Sequence, residues 1–184
     1  MIKLKNILGE NSKQTYDYGC AMVFFNATTI IKPIHNLINQ SDLYISDGDN
    51  SYGKEDEHHT TLLYGLHEEV TLKAVTDIIQ TYEFTNCIMH NPSLFKTDTY
   101  DVLKYEVMGD NLHSVNQSLK KLPYTTSFPK YNPHFTIAYL KPGCGNYYVN
   151  ELNTLKLNKF SITPTHVVYS TADGKKHKIK IKIK

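Results

Sequence analysis

Apolar residues along this chain follow two rhythms, short runs or alternations on one hand and helical spacing on the other, and the two take turns. The runs CAMVFFN (Cys20 to Asn26), HTTLLYGL (His59 to Leu66), Phe84 to Met89, Asp101 to Met108, HFTIAYL (His134 to Leu140) and Thr165 to Ser170 read as strands, with HKIKIKIK as a closing strand. Helical spacing places Ile30, Ile31, Ile34, Leu37 and Ile38 on one face between about Thr29 and Asn39, with Pro33 tolerable only near the first turn. Thr71 suits the N-cap of a helix carrying Val75, Ile78, Ile79 and Tyr82. Leu112, Val115, Leu119 and Leu122 mark a third helix, and Val149 to Leu155 a short fourth. Polar or Gly- and Pro-bearing stretches separate them: SDGDNSYGKEDE, HNPSLFKTDT, LPYTTSFPKYNP, PGCG and a turn at Ala172-Asp173-Gly174. The alternation predicts an α+β fold, and no low-complexity linker divides it.

Composition narrows the class. A chain of 184 residues can bury one sizeable core, so the expectation is one domain over 1–184. Hydrophobic residues at 40% and charged residues at 21% exclude disorder and fibres, and a net charge of +2 predicts no footprint on duplex nucleic acid. Cys20, Cys87 and Cys144 are odd in number and widely spaced, which fits a reducing cytoplasm better than a disulfide framework or a zinc ribbon. MIKLKNILGENSK lacks a signal-peptide apolar region, and no run approaches a membrane span, so a soluble, cytoplasmic protein is expected. Trp is absent while Tyr reaches 14, leaving tyrosine as the main stacking aromatic.

One pattern occurs twice. HTTLLY (His59 to Tyr64) and HFTIAY (His134 to Tyr139) both read His, any residue, Thr, two apolar residues, Tyr. The first copy alone permits two registers, since His58-x-Thr60 fits as well as His59-x-Thr61. Matching the terminal tyrosines puts His59 over His134 and leaves His58 over Pro133. Strand side chains alternate, so His59 shares a face with Thr61 and His134 with Thr136. Strict alternation sends Leu62 and Tyr64, and Phe135, Ile137 and Tyr139, to the opposite face. His58 should also point away.

Two such strands side by side would offer two imidazoles and two hydroxyls to one cleft, a set suited to metal-free phosphodiester chemistry. One imidazole takes a proton while the other, protonated, delivers one to the leaving oxygen, each typically worth ~10²–10⁴-fold. The threonine hydroxyls can donate to phosphate oxygens as charge builds. A single His-x-Thr would mean little, but two copies sharing the same tail form a pattern.

Metal readings fare worse. Asp47, Asp49 and Ser51 alternate as in a calcium loop, yet Tyr52 stands where glycine is required and His58 where the bidentate glutamate belongs. Zinc on Glu57, His58 and His59 lacks a supporting motif, and adjacent strand residues face opposite ways. The loop Ser46 to Glu57 reads as a solvated loop or a lid over the cleft. His67, His90, His113 and His166 have no patterned partner and read as surface or capping residues. The Ile/Lys alternation of the C-terminus reads as an edge strand guarded by lysines, with a cationic rim for a phosphate-bearing ligand as the alternative.

On HTTL and HFTI, with YGCAMVFF, YDVLKYEV, NPHFTIAYL and VVYS in order around them, the chain resembles the two-histidine phosphoesterase superfamily. Within it, the chain looks most similar to the phage anti-CBASS phosphodiesterases, which degrade cyclic oligonucleotide messengers of bacterial antiphage defence. The resemblance implies a bilobal α+β fold, with mixed or antiparallel sheets around a central cleft and helices outside. It implies metal-independent cleavage of 3′–5′ bonds in cyclic di- and trinucleotides, with no cofactor and no protein or membrane partner, by a monomer in the infected host's cytoplasm. The roles fall on His59, Thr61, His134 and Thr136, without saying which histidine is base and which acid. Tyr18 matches an N-terminal tyrosine placed against a nucleobase, though it reads equally as a packed strand-entry residue; the tryptophan expected at a second base contact has no counterpart. An RNA 2′,3′-cyclic or 2′–5′ oligoadenylate phosphodiesterase, or a non-cleaving messenger sponge, is the alternative.

Overall fold

The computed structural model describes residues 17–46, 52–128 and 130–184. In chain order its elements are β1 (Gly19–Asn26), α1 (Thr28–Leu37), β2 (His59–Leu66), α2 (Leu72–Ile79), β3 (Glu83–Phe84), β4 (Cys87–Lys96), β5 (Asp101–Met108), α3 (Leu112–Leu119), β6 (His134–Leu140), α4 (Gly145–Thr154), β7 (Lys159–Ser170), β8 (Lys176–Ile179) and β9 (Lys182–Ile183). The stretch MIKLKNILGENSK, and Asp47, Asp49 and Ser51 of the calcium-like run, lie outside the described residues.

Seven strands form one antiparallel sheet in the order β2-β1-β7-β4-β5-β6, with β8 added to β7. β7 is long enough to serve both halves: its first residues, 159–162, pair with β4, and 163–170 pair with β1. The sheet is therefore two lobes hinged on one strand, and its terminal strands β2 and β6 come back to pack against each other. The helices cross over, since α1 follows β1 but packs on β6, and α3 follows β5 but packs on β2. That exchange ties the lobes together and gives the molecule a pseudo-twofold plan.

The helices are held by their apolar faces. Ile31 and Ile34 of α1, Val75 and Ile79 of α2, Val115 and Leu119 of α3, and Tyr148 and Leu152 of α4 all enter one core cluster with the sheet. Burying each such side chain is worth roughly 1.5–3 kcal/mol. Thr71 caps α2 by accepting from the Ala74 amide at 3.2 Å.

Four local expectations need correction. The helix α1 begins at Thr28, so Pro33 is its sixth residue and not in the first turn. The amide it lacks would have served the carbonyl of Thr29, and Thr29 is exposed, so water can take its place. The second correction is that Phe84 to Met89 is not one strand and HNPSLFKTDT is largely strand: Phe84 ends β3, Thr85 and Asn86 intervene, and β4 runs from Cys87 to Lys96 across a bulge at Asn91, which adopts a left-handed φ of 54°. Asparagine tolerates that conformation, which let a turn-like sequence stay in the sheet. Third, β7 starts at Lys159 and runs through Pro164 beside a register shift, the place in a sheet where proline is accommodated. Fourth, HKIKIKIK is not one strand. Its first part is β8, an edge strand with exposed Lys176 and Lys178, while β9 leaves to pair in parallel with β3. Ile179 is buried and Ile183 is exposed, so the period of two does not mark one continuous apolar face.

None of the helices among the described residues is long and apolar enough to cross a membrane. The three cysteines are free thiols.

Candidate functional site

His59 opens β2 and His134 opens β6, the two strands that meet at the cleft. Each ring is held the same way. Nδ1 of His59 lies 2.8 Å from the carbonyl of Glu57, and Nδ1 of His134 lies 2.9 Å from the carbonyl of Asn132, in both cases two residues upstream. A carbonyl only accepts, so Nδ1 carries the hydrogen and a neutral ring keeps Nε2 as a bare acceptor.

The strands do not alternate strictly after the threonines. On β2, Ala21 faces Leu63 and Met22 faces Thr61, which leaves Leu62 as an extra residue. On β6, Leu103 faces Ala138 and Lys104 faces Thr136, which leaves Ile137 as the extra one. Both copies of the pattern thus carry a β-bulge at the same position, and each bulged carbonyl is met by a helix side chain. Asn116 Nδ2 of α3 donates to the Leu62 carbonyl at 2.6 Å, and His35 Nε2 of α1 lies 3.0 Å from the Ile137 carbonyl. The extra residue turns Leu62 and Leu63, and Ile137 and Ala138, into the core together. It also moves the terminal tyrosines. Tyr64 packs with Cys20, Met22 and Phe24, and Tyr139 with Val102 and Tyr100, on the side of the histidines and threonines. The expectation that Tyr64 and Tyr139 turn away is therefore overturned, while Leu62, Phe135 and Ile137 do turn inward.

A cavity of about 220 Å³ opens between the strands. Thr61, His134 and Thr136 line it, with Tyr64 and Tyr139 among its aromatic walls and Lys120 and Lys130 at its rim. The hydroxyl of Tyr64 is buried without a hydrogen-bond partner among the described residues, and that of Thr61 meets only the thiol of Cys20, an arrangement that leaves both to donate to a ligand. Gly65 shapes the wall beside them. Its φ of +105° and the 1.8 Å that would separate an added Cβ from the Thr125 carbonyl allow the 123–128 segment to close on β2.

Among solved structures, "Structure of Kluyveromyces marxianus Usb1 with uridine monophosphate" is similar to this chain, with a TM-score of 0.51 and 8% identity over 90% of this chain and 98% of that one. The fold is the bilobal two-histidine phosphoesterase fold. No family model matches the sequence, and no curated protein matches it either.

Within the two-histidine fold the lobes differ in what surrounds the rings. Phe24 opposes His59 on β1 and Met22 opposes Thr61; the corresponding residues on β5 are Glu106 opposite His134 and Lys104 opposite Thr136. His59 is 3% exposed and stacks near Phe24 at 5.4 Å, and burial pushes it down to about 4 despite its bond to Glu57. The charge of His134 lowers it further, which places the two rings within electrostatic reach. Burial also lowers His134; the Asn132 carbonyl raises it and Lys104 lowers it. Tyr64 is pushed up to about 12, chiefly by burial, so it stays a neutral donor.

Of the residues picked from sequence, Thr61, His134 and Thr136 line the cavity; His59 does not line it, and its buried ring lies 5.4 Å from that of Phe24. Tyr18 is not in the cavity lining; its ring meets Tyr64 edge-on at 6.2 Å and tilts over His67 at 5.7 Å. His58 stacks on Phe135 at 5.8 Å, away from the cleft. His166, read as a surface or capping residue, is half-buried and stacks on Phe24 at 5.0 Å, the ring that also meets His59. Sequence reading missed Lys104, Asn116, His35 and the cleft placement of the two tyrosines. Among the described residues no three His, Cys, Asp or Glu side chains cluster as a metal site.

Proposed function

We propose that this protein is a metal-independent phosphodiesterase that cleaves 3′–5′ bonds of cyclic di- and trinucleotide messengers and so counters CBASS antiphage defence. The observation that supports it best is the duplicated anchor. Two histidines are each fixed through Nδ1, which leaves each Nε2 an acceptor, and each is followed by a threonine that lines the cleft, as His134 itself does. A fold neighbour that holds uridine monophosphate agrees with a nucleotide-sized ligand in such a cleft.

In the proposed reaction a ribose 2′-hydroxyl attacks the adjacent phosphorus. His59, kept neutral by its apolar surroundings, accepts the hydroxyl proton at Nε2. His134, protonated once the anionic substrate is present, gives its proton to the departing 5′-oxygen. Thr61, Thr136 and Tyr64 donate to the phosphate oxygens as negative charge grows, and loss of such a donor costs about 10²–10³-fold. Tyr18, edge-on to Tyr64 and outside the cavity lining, would meet a nucleobase of the ligand.

The test is incubation with cyclic di- and trinucleotides, linear RNA and 2′–5′ oligoadenylate in the presence of EDTA, with products resolved by chromatography. Cleavage confined to the cyclic panel is expected. Loss of cleavage on adding EDTA would refute the metal-free chemistry, cleavage of linear RNA or 2′–5′ oligoadenylate alone would shift the substrate class, and tight binding without products would make the protein a sponge.

A further inference from the structure

The pseudo-twofold plan pairs Met22 with Thr61 in one lobe and Lys104 with Thr136 in the other. Lys104 is therefore a charge the plan does not duplicate, and it is only 6% exposed. Its ammonium donates to Ser93 Oγ at 2.8 Å and sits 4.6 Å from the centre of the Phe95 ring. Phe95 in turn meets the His134 ring edge-on at 4.9 Å and lines the cavity. No carboxylate comes within ion-pair distance of Lys104 among the described residues. Glu106, two residues along the same strand, is bound by Asn91 Nδ2 at 2.9 Å instead.

Burial disfavours the charge of Lys104, whose direct contacts are a neutral hydroxyl and an aromatic face and whose one favourable charge is that of Glu106, outside ion-pair distance; proteins keep such a buried cation when an anion will complete it. The stem is flexible, and two of its three N–H donors have no acceptor among the described residues. We infer that Lys104 is the cation that receives the phosphate of the ligand beside His134, making the second lobe the anion-holding side of the cleft. The inference deepens the proposed function and rests on the same cleft, but it concerns phosphate binding and not turnover. The lowering of His134 by Lys104 agrees with it, because an anion lodged between them would relieve both cations at once. The other charged or titratable groups around His134 are Glu106 on β5, His59 on β2, and Lys120 and Lys130 at the cavity rim.

The experiment uses the full chain and two phosphate probes, inorganic phosphate and uridine monophosphate, with His134 ring resonances followed by NMR. Lys104→Met keeps the stem and removes the charge. The expected result is at least a tenfold loss of affinity for both probes, a His134 titration moved to higher pH in the free protein, and a melting temperature equal to or above that of the parent chain. Lys104→Arg should retain most of the phosphate affinity, and it serves as the readout if the methionine variant does not fold. Unchanged phosphate affinity and an unchanged His134 titration in folded Lys104→Met would overturn the inference. If the parent chain binds phosphate through Lys104 yet cleaves none of the nucleotide panel, the inference stands and the phosphodiesterase reading falls.

Discussion

Replacing Asn116 with alanine tests whether the β2 bulge is held in place or merely tolerated. The side chain is 1% exposed, and its Nδ2 donates to the carbonyl of Leu62, the extra residue that turns Tyr64 to the cleft side. Removing the donor leaves that carbonyl short of a partner in a buried place, a loss of about 1–3 kcal/mol. Alanine's better helix propensity returns at most about 0.7 kcal/mol. The net loss is about 0.3–2.3 kcal/mol, and for a chain of this size each kcal/mol is worth roughly 2–4 °C, so the melting temperature should fall by about 1–9 °C. The matching change in the other lobe, His35→Ala, should cost less, because the Ile137 carbonyl also accepts from the Glu55 amide at 2.8 Å. If the bulge relaxes, Thr61 and Tyr64 lose their aim, and displacements of about 1 Å at a reacting centre can cost up to about 10²-fold. Thermal unfolding followed by circular dichroism gives the stability, and initial rates on a substrate the parent chain cleaves give the rest. An Asn116→Ala protein that melts with the parent, or a His35→Ala protein that melts well below Asn116→Ala, would refute the clamp.

Three further outcomes follow from the same geometry. His59→Ala and His134→Ala should each reduce kcat by roughly 10²–10⁴-fold while binding is largely retained, measured by single-turnover cleavage and a separate binding titration; normal turnover in either variant removes that ring from the chemistry. His59 in the folded chain lies near 4, below its ordinary 6.5. Above pH 6.5 it is neutral folded or unfolded and its stabilising effect is complete. As pH falls from 6.5 toward 4 only the unfolded chain takes up this proton, and stability drops by up to about 1.4 kcal/mol per pH unit from this group. Urea unfolding between pH 4.5 and 7 should show a shallower pH slope for His59→Gln than for the parent, and equal slopes would contradict the buried neutral ring. Gly65→Ala should destabilise by about 1–3 kcal/mol or more, read from the urea midpoint, because it meets both a left-handed φ and the Thr125 carbonyl.

What the sequence made legible, and what it hid, divides at the bulges. HTTLLYGL, DVLKYEVM and HFTIAYL begin and end where their strands do, since alternation and flanking turn residues are local properties. That His59 and His134 hold equivalent places, each opening its strand and each anchored through Nδ1, was legible for the same reason, as two short stretches could be laid over one another. The side of the sheet taken by Tyr64 and Tyr139 was not, because one inserted residue inverts everything after it. There was a signal for it. Leu62-Leu63 and Ile137-Ala138 are consecutive apolar pairs where strict alternation asks for one apolar residue, and only a bulge sends both to the core. Lys104 left no mark at all in YDVLKYEV, since its burial against Phe95 and its lack of an ion-pair partner among the described residues are decided by three-dimensional contacts alone. His166 was hidden likewise, as its stacking on Phe24 depends on a pairing between strands far apart in sequence.

The two-fold plan raises a problem that the neighbouring strands answer. Two histidines anchored alike through Nδ1 would by themselves be interchangeable, yet general acid–base cleavage needs one ring that accepts a proton and one that supplies it. The motif residues do not break the tie, because both copies read His-x-Thr and both carry the same bulge. The break lies one strand inward, where Met22 and Phe24 of β1 stand in the places that Lys104 and Glu106 of β5 hold across the pseudo-axis. An apolar neighbour raises the cost of charging His59 whatever is bound. A charged neighbourhood makes the state of His134 depend on what is bound, since a phosphate offsets Lys104 at the moment it arrives. Under the proposed reaction, then, the duplicated elements position the rings, while the unlike pairs on β1 and β5 assign the acceptor role to His59 and reserve the donor role of His134 for the occupied cleft.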